Sequence, residues 1–319
     1  MHFISAALTG LLAAAYATAS PTPGTNSTAA AAWTDPPFSI SSDTMAAAIT
    51  CPNGVQGKAG GIVFLVHGTG ESRLLLGTRT GQFYHKSTAS DGNGTWATGP
   101  YNLILPTVGP GYDICWVTLP AFAWANAEQS AEYVAYNIKA LAAQSATKKV
   151  YVVGWSQGAG LNLQWALDFF PSTQSLVSGF FSIAGDFHGS ASADVACKLL
   201  TSAGPKTCPE SVFQQMRSSE FLRAQNISAS TALVPTTSVF TNKDLVVPPE
   251  PAMSTITGAS NILMQSQQAC GLGYNVDHLS APYDSGVFGL FLNALDNGGA
   301  ANIETFDQSW CKGFQNTTT

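Results

Sequence analysis

At 319 residues with 45% apolar side chains, the chain can bury a large core, and a single α/β domain of this size is common. Only 10% of residues are charged, against about a quarter in typical chains. The formal charge is −6, without a Lys/Arg cluster, so the electrostatic footprint of a nucleic-acid partner is missing.

Residues 3–17 form an apolar run too short for a membrane span, ending in the small-residue cleavage pattern Ala17-Thr18-Ala19. A signal peptide over 1–19 is expected, although only His2 stands where a positive n-region would be. Residues 20–32 are rich in Pro, Ser, Thr and Ala and predict a disordered linker or propeptide. A single domain is then expected over 33–319. No later segment is long and apolar enough to span a bilayer, and the final Asn-Thr-Thr-Thr carries no anchoring tail.

Strand patterns occur at 62–66, 114–119, 150–153, 180–184, 237–241 and 262–265. Helical patterns occur at 127–143, 157–170, 209–223 and 284–295. Their alternation predicts an α/β fold with a mostly parallel central sheet and helices on both faces. Residues 78–100, rich in Gly, Ser and Thr, predict a long surface loop. The six cysteines (Cys51, Cys115, Cys197, Cys208, Cys270 and Cys311) suit an oxidising compartment; their spacing alone leaves about 15 pairings open. Sequons begin at Asn26, Asn93, Asn226 and Asn316, and about half are expected to be used.

The stretch "VYVVGWSQGAGLNLQW" carries the chemistry. A buried strand runs into a helix through Gly154-Trp155-Ser156-Gln157-Gly158. A serine at such a turn is lifted clear of the sheet, and small residues two before and two after let strand and helix pass closely. Serine is a poor nucleophile at neutral pH and needs a base, which itself needs an orienting acid. In sheets of this kind the acid and then the histidine follow the serine in the chain. His188 and His278 satisfy that order, and His278 is favoured because a late loop reaches the C-terminal edge of the sheet. For the acid, Asp244 in "TTSVFTNKDLVVPPE" follows a strand, with Asp186 as its rival one strand earlier. Asp277 is adjacent to His278 in sequence and should point away. Oxyanion donors are expected from the Gln157 N–H and from Thr69 in "FLVHGTGES", where Gly68 and Gly70 allow close approach. Trp155 and Asp186 are expected at the substrate.

Four separated blocks, "GPGYDICWVTLPAF", "GWSQGAGLNLQWALDFFPS", "VPTTSVFTNKDLVVPPE" and "QQACGLGYNVDHLS", resemble the Candida antarctica lipase B family of fungal α/β-hydrolases. The resemblance runs from about residue 50 to 311. It implies a catalytic triad of Ser156, Asp244 and His278, with an oxyanion hole at Thr69 and Gln157. Asp186 matches a family aspartate near the serine that is not the triad acid. The resemblance further implies disulfides Cys51–Cys115 and Cys270–Cys311, leaving Cys197 and Cys208 to pair locally. The chain departs from the family in four ways: Gly154 replaces a threonine, His67 replaces a proline, the 78–100 loop is longer, and little follows Cys311.

The expected protein is a secreted, monomeric serine ester hydrolase, most simply a lipase, with a small cap segment and transient contact with lipid. No metal or organic cofactor is implied. A cutinase-type polyester hydrolase uses the same triad. A peptidase, or a silent binding module of the same fold, fits less well because all triad members are present.

Overall fold

The computed structural model describes residues 34–70, 91–202, 208–226 and 231–315. The segments expected as signal peptide and linker, His2, residues 78–90 of the expected surface loop, and the sequons at Asn26 and Asn316 lie outside the described residues. The β-branched and aromatic runs form β1 (Ile49–Thr50), β2 (Ile62–Val66), β3 (Asp113–Val117), β4 (Val150–Trp155), β5 (Val177–Ile183), β6 (Thr236–Phe240) and β7 (Ser260–Leu263). Their order across one sheet is β1-β3-β2-β4-β5-β6-β7. All neighbours are parallel except β1, which runs antiparallel to β3. The short β1 was not legible in the sequence.

Successive side chains of a strand point to opposite faces, and both faces here are covered. Phe64, Val66 and Val152 join Val134, Ile138 and Leu163 on one side, while Val63, Leu65 and Val153 join Phe288, Phe291 and Trp310 on the other. Hence β2, β4 and β6 are buried at every residue.

The helices are α1 (Ser42–Ala47), α2 (Gly92–Trp96), α3 (Pro100–Leu103), α4 (Ala127–Gln144), α5 (Gln164–Phe169), α6 (Ala191–Ser202), α7 (Glu210–Gln214), α8 (Glu220–Gln225) and α9 (Ser285–Asp296). The Asn126 side chain starts α4 by accepting the N–H groups of Glu128 and Gln129 at 2.8 and 3.1 Å. From there Ala127, Ala131, Val134, Ile138 and Leu141 bury one helical face. Asp284 caps α9 in the same way through Val287 N–H at 3.0 Å. Among the described residues no helix is long and apolar enough to cross a membrane.

Three expectations are corrected. Residues 91–100 are not surface loop: Asp91 caps α2 through Gly94 N–H at 2.6 Å, and α2 delivers Trp96 into the core edge-on to Tyr101. The glycines there disguise a helix that packing, not propensity, stabilises. The 209–223 helix is two helices, because Ser219 caps a new one through Leu222 N–H at 3.2 Å. The 157–170 helix opens as a π-helix over Gly158–Leu163 before becoming α5.

Three disulfides join Cys51 to Cys115, Cys197 to Cys208 and Cys270 to Cys311. The last ties the C-terminal segment to the loop after β7. Replacing Cys270 and Cys311 by serine should lower the unfolding free energy by about 4 kcal/mol in the chain-entropy picture. A urea titration checks this, and an unchanged midpoint would show that the tie contributes nothing.

Candidate active site

Ser156 follows the last residue of β4 with φ at 55°, in the left-handed region that side chains avoid. Three backbone bonds hold it there. Its N–H donates to Ile183 O at 2.9 Å, and its carbonyl accepts from Ala159 and Gly160, both at 2.9 Å. Space dictates the flanking glycines. A Cβ at Gly154 would stand 2.6 Å from Ala159 Cα, and one at Gly158 would stand 2.4 Å from the His67 carbonyl oxygen.

Asp244 lies in the loop after β6. One carboxylate oxygen accepts the N–H groups of Val246 and Val247, each at 2.8 Å. The other lies 2.6 Å from His278 Nδ1, and His278 Nε2 lies 3.0 Å from Ser156 Oγ. With Nδ1 donating to the carboxylate, the Nε2 lone pair faces the serine hydroxyl, as a general base requires. Burial would raise the Asp244 carboxyl, but the His278 ring and the two backbone N–H groups overcome it and hold the carboxyl below its ordinary range.

The His278 loop is fixed from several sides. The Asp277 carboxylate turns inward to its own loop, accepting Leu279 and Ser280 N–H at 3.1 and 2.8 Å. Thr241 Oγ1 donates to Val276 O at 2.8 Å. Trp155 is buried, and its indole N–H donates to the His278 carbonyl at 3.0 Å, with the two rings 5.6 Å apart. Trp155, expected at the substrate, therefore spends its polar group on the histidine loop.

On the other side of the serine, Thr69 Oγ1 donates to Gln157 Oε1 at 2.5 Å. Gln215 Nε2 approaches both, at 3.1 Å from Thr69 Oγ1 and 3.0 Å from Gln157 Oε1. Gln157 also heads the helix after the elbow, where the first N–H groups have no preceding turn to bond. Gln215 was not singled out from the sequence. Its one signal was a pair of amides, Gln214-Gln215, between Val212-Phe213 and Met216. Gln214 is used as well, accepting Ala127 N–H at 2.7 Å.

The rival residues fall elsewhere. His188 bonds the Thr255 carbonyl at 3.0 Å. Asp186 is fully buried against Gly160, and neither of its oxygens has a hydrogen-bond partner among the described residues. Burial pushes its carboxyl up to about 7. A second acid, Glu250, accepts the Ser254 hydroxyl close by.

The segment from α6 to α8 borders the Asp244 loop. Ser190 and Ser192 hydroxyls donate to the carbonyls of Val246 and Leu245 at 2.5 and 3.1 Å. Arg217 pairs with Asp194 at 2.6 Å. Leu199 and Phe213 on the segment, and Leu245 beside it, are exposed at 68%, 54% and 84%. Among the described residues there is no cluster of His, Cys, Asp or Glu that could hold a metal ion.

No family model matches the chain. Lipase B of Pseudozyma antarctica is 30% identical over 252 residues, covering 76% of this chain and 64% of that protein. The crystal structure of Aspergillus fumigatus lipase B superposes with a TM-score of 0.68 at 26% identity, over 87% of this chain and 62% of that one. The chain thus spans less than two thirds of either lipase B. Mature Bacillus licheniformis lipase BlEst2 gives a TM-score of 0.53 at 15% identity, over 75% of this chain and 93% of that one, a likeness of fold.

Burial pushes the Glu250 carboxyl up to about 8; the Ser254 hydroxyl opposes this, and the Asp244 charge adds to it. Between its ordinary 4.5 and about 8, the folded chain keeps a proton that the unfolded chain has lost. Stability therefore falls as pH rises through that window. Glu250→Gln keeps an oxygen for Ser254 and removes the charge. Its melting temperature relative to the parent should rise between about pH 5 and pH 8, on the order of 5 °C. A difference that stays flat with pH would contradict the assignment.

Proposed function

The chain is a homologue of lipase B with an α/β-hydrolase fold, and we propose that it is a secreted serine carboxylic-ester hydrolase, a lipase of triacylglycerols or smaller acyl esters. The observation that carries this reading is the unbroken line from Asp244 through His278 to a serine on a strained elbow. Three disulfides among the described residues support an oxidising, extracellular setting.

In this reading Ser156 Oγ attacks the ester carbonyl while His278 Nε2 takes its proton. Asp244 stabilises the imidazolium that forms. The negative carbonyl oxygen is met by the Gln157 N–H and by Thr69, near the positive end of the new helix. The bond to the alcohol then breaks, and the alcohol leaves with the proton from His278. Water repeats the sequence on the acyl-enzyme and releases the acid. An alcohol in place of water gives transesterification.

Ser156→Ala should lower ester hydrolysis by roughly 10⁶-fold with the fold intact. A panel of p-nitrophenyl esters from acetyl to palmitoyl, run beside emulsified triglyceride, checks this and reports chain-length preference. Retention of a tenth of the activity would overturn the reading. On the same panel Asp244→Asn should be severe and Asp186→Asn milder; the reverse order would move the acid to Asp186.

The α6–α8 segment acts as a cap whose exposed apolar side chains meet the acyl chain or lipid, and Cys197–Cys208 limits its movement. Replacing both cysteines by serine should change the ratio of long-chain to short-chain turnover more than it changes melting temperature. A sharp loss of stability at a fixed ratio would make the segment scaffold.

A further inference from the structure

His67 is fully buried immediately after β2, at the entrance to Gly68-Thr69-Gly70. Both of its ring nitrogens are used. Nδ1 lies 2.6 Å from the Gly68 carbonyl oxygen, and Nε2 lies 3.0 Å from the backbone N of Leu119. A carbonyl can only accept and an N–H can only donate, so Nδ1 carries the proton and Nε2 offers its lone pair. Burial pushes the ring's pKa down to about 4, which keeps that lone pair available.

Leu119 leads into an unusual turn. Ala121, Phe122 and Ala123 follow with φ of 48°, 57° and 65°, three successive left-handed residues without a glycine. The turn is tied back to the first loop by Gly70 N–H, which donates to Phe122 O at 2.7 Å. Gly68 and Thr69 are therefore bracketed by two ties to one neighbouring loop. One tie is backbone; the other is the imidazole of His67. Gly68 presses on the elbow, and a Cβ there would stand 2.9 Å from Ser156 Cβ.

A peptide unit is planar and trans, so its C=O and the next N–H point in opposite directions. Fixing the Gly68 carbonyl on the ring thus fixes the direction of the Thr69 N–H. We infer that His67 is a positioning residue, which aims the Thr69 backbone donor at the developing oxyanion by holding the Gly68–Thr69 peptide plane against the loop that begins at Leu119. The inference rests on the ester-hydrolase reading and goes beyond it. The side chain touches no substrate and acts through the neighbouring peptide.

The test compares His67→Leu, which loses both bonds, with His67→Gln, which restores an acceptor toward Leu119. Active serines are counted with a phosphonate ester, and the rate is expressed per active serine on p-nitrophenyl butyrate. An alkyl boronic acid, whose tetrahedral adduct places an oxygen among the proposed donors, serves as the probe of alignment. For His67→Leu, kcat per active serine should fall roughly 10- to 100-fold with KM within about threefold, and boronate affinity should fall in parallel. His67→Gln should recover part of both losses. A lower melting temperature with unchanged kcat per serine and unchanged boronate affinity would overturn the inference. If neither variant folds, the ¹⁵N shifts of the unsubstituted protein decide. An unprotonated Nε2 coupled to the Leu119 amide upholds the inference, and a protonated Nε2 overturns it. Activity surviving in Ser156→Ala would overturn the ester-hydrolase reading itself, an outcome distinct from any His67 result.

Discussion

A serine held at φ 55° between β4 and its helix is the constraint on which the rest of the site depends. A left-handed non-glycine residue costs on the order of 1–3 kcal/mol and survives only when its surroundings over-determine it. Here the fixing bonds come from the end of β5 and from the helix's own first turn. The close passage they enforce leaves no room for a Cβ at Gly154 or Gly158. Strain at one residue thus dictates composition at two others. It also leaves the hydroxyl at the C-terminal edge of the sheet, where the β6 loop brings Asp244 and the loop bearing His278 arrives.

The carboxyls near this edge divide by partner. Asp244 is buried, yet an imidazole and two N–H groups hold it below its ordinary range. For Asp186 and Glu250 burial outweighs the groups that would favour their charge, and it drives both upward. Near neutral pH Asp244, the carboxyl that faces the histidine, is ionised, while Glu250 keeps its proton. Like charges sharing a low-dielectric region disfavour one another, so keeping Glu250 protonated preserves the electrostatic use of Asp244.

The elbow was legible because its requirement is local: small, serine, small between a strand run and a helix run. Asp244 and His278 were legible by their order along the chain and by turn chemistry at strand ends. The parallel sheet followed from alternating patterns, with strand ends displaced by up to three residues. What stayed hidden depends on contacts across the chain. Trp96 is core because Tyr101, itself packed on Phe288, receives it, not because of the Gly-Asn-Gly-Thr before it. Gln215 matters because α7 stops beside Thr69 and Gln157. His67 could be noted as a departure in sequence, but its two bonds exist only once β3 lies beside β2.

The low charge content extends to how the site is built. Its supports are amides. Gln157, Gln214 and Gln215 join the serine's helix to α4 and α7. Asn162 donates to the Ala127 carbonyl at 3.0 Å, and Gln225 donates to Gly160 O at 2.7 Å. Gln265 accepts Asn242 N–H at 3.1 Å and donates to Thr241 Oγ1 at 2.9 Å and Tyr274 O at 3.2 Å, joining the loop of the acid to the loop of the base. Lys or Glu in these places would carry a desolvation penalty of several kcal/mol per ion and would add its field to the serine's surroundings. An amide fixes geometry with both a donor and an acceptor and adds no net charge. The one histidine and one carboxylate in line with Ser156 are thus framed by groups that do not titrate.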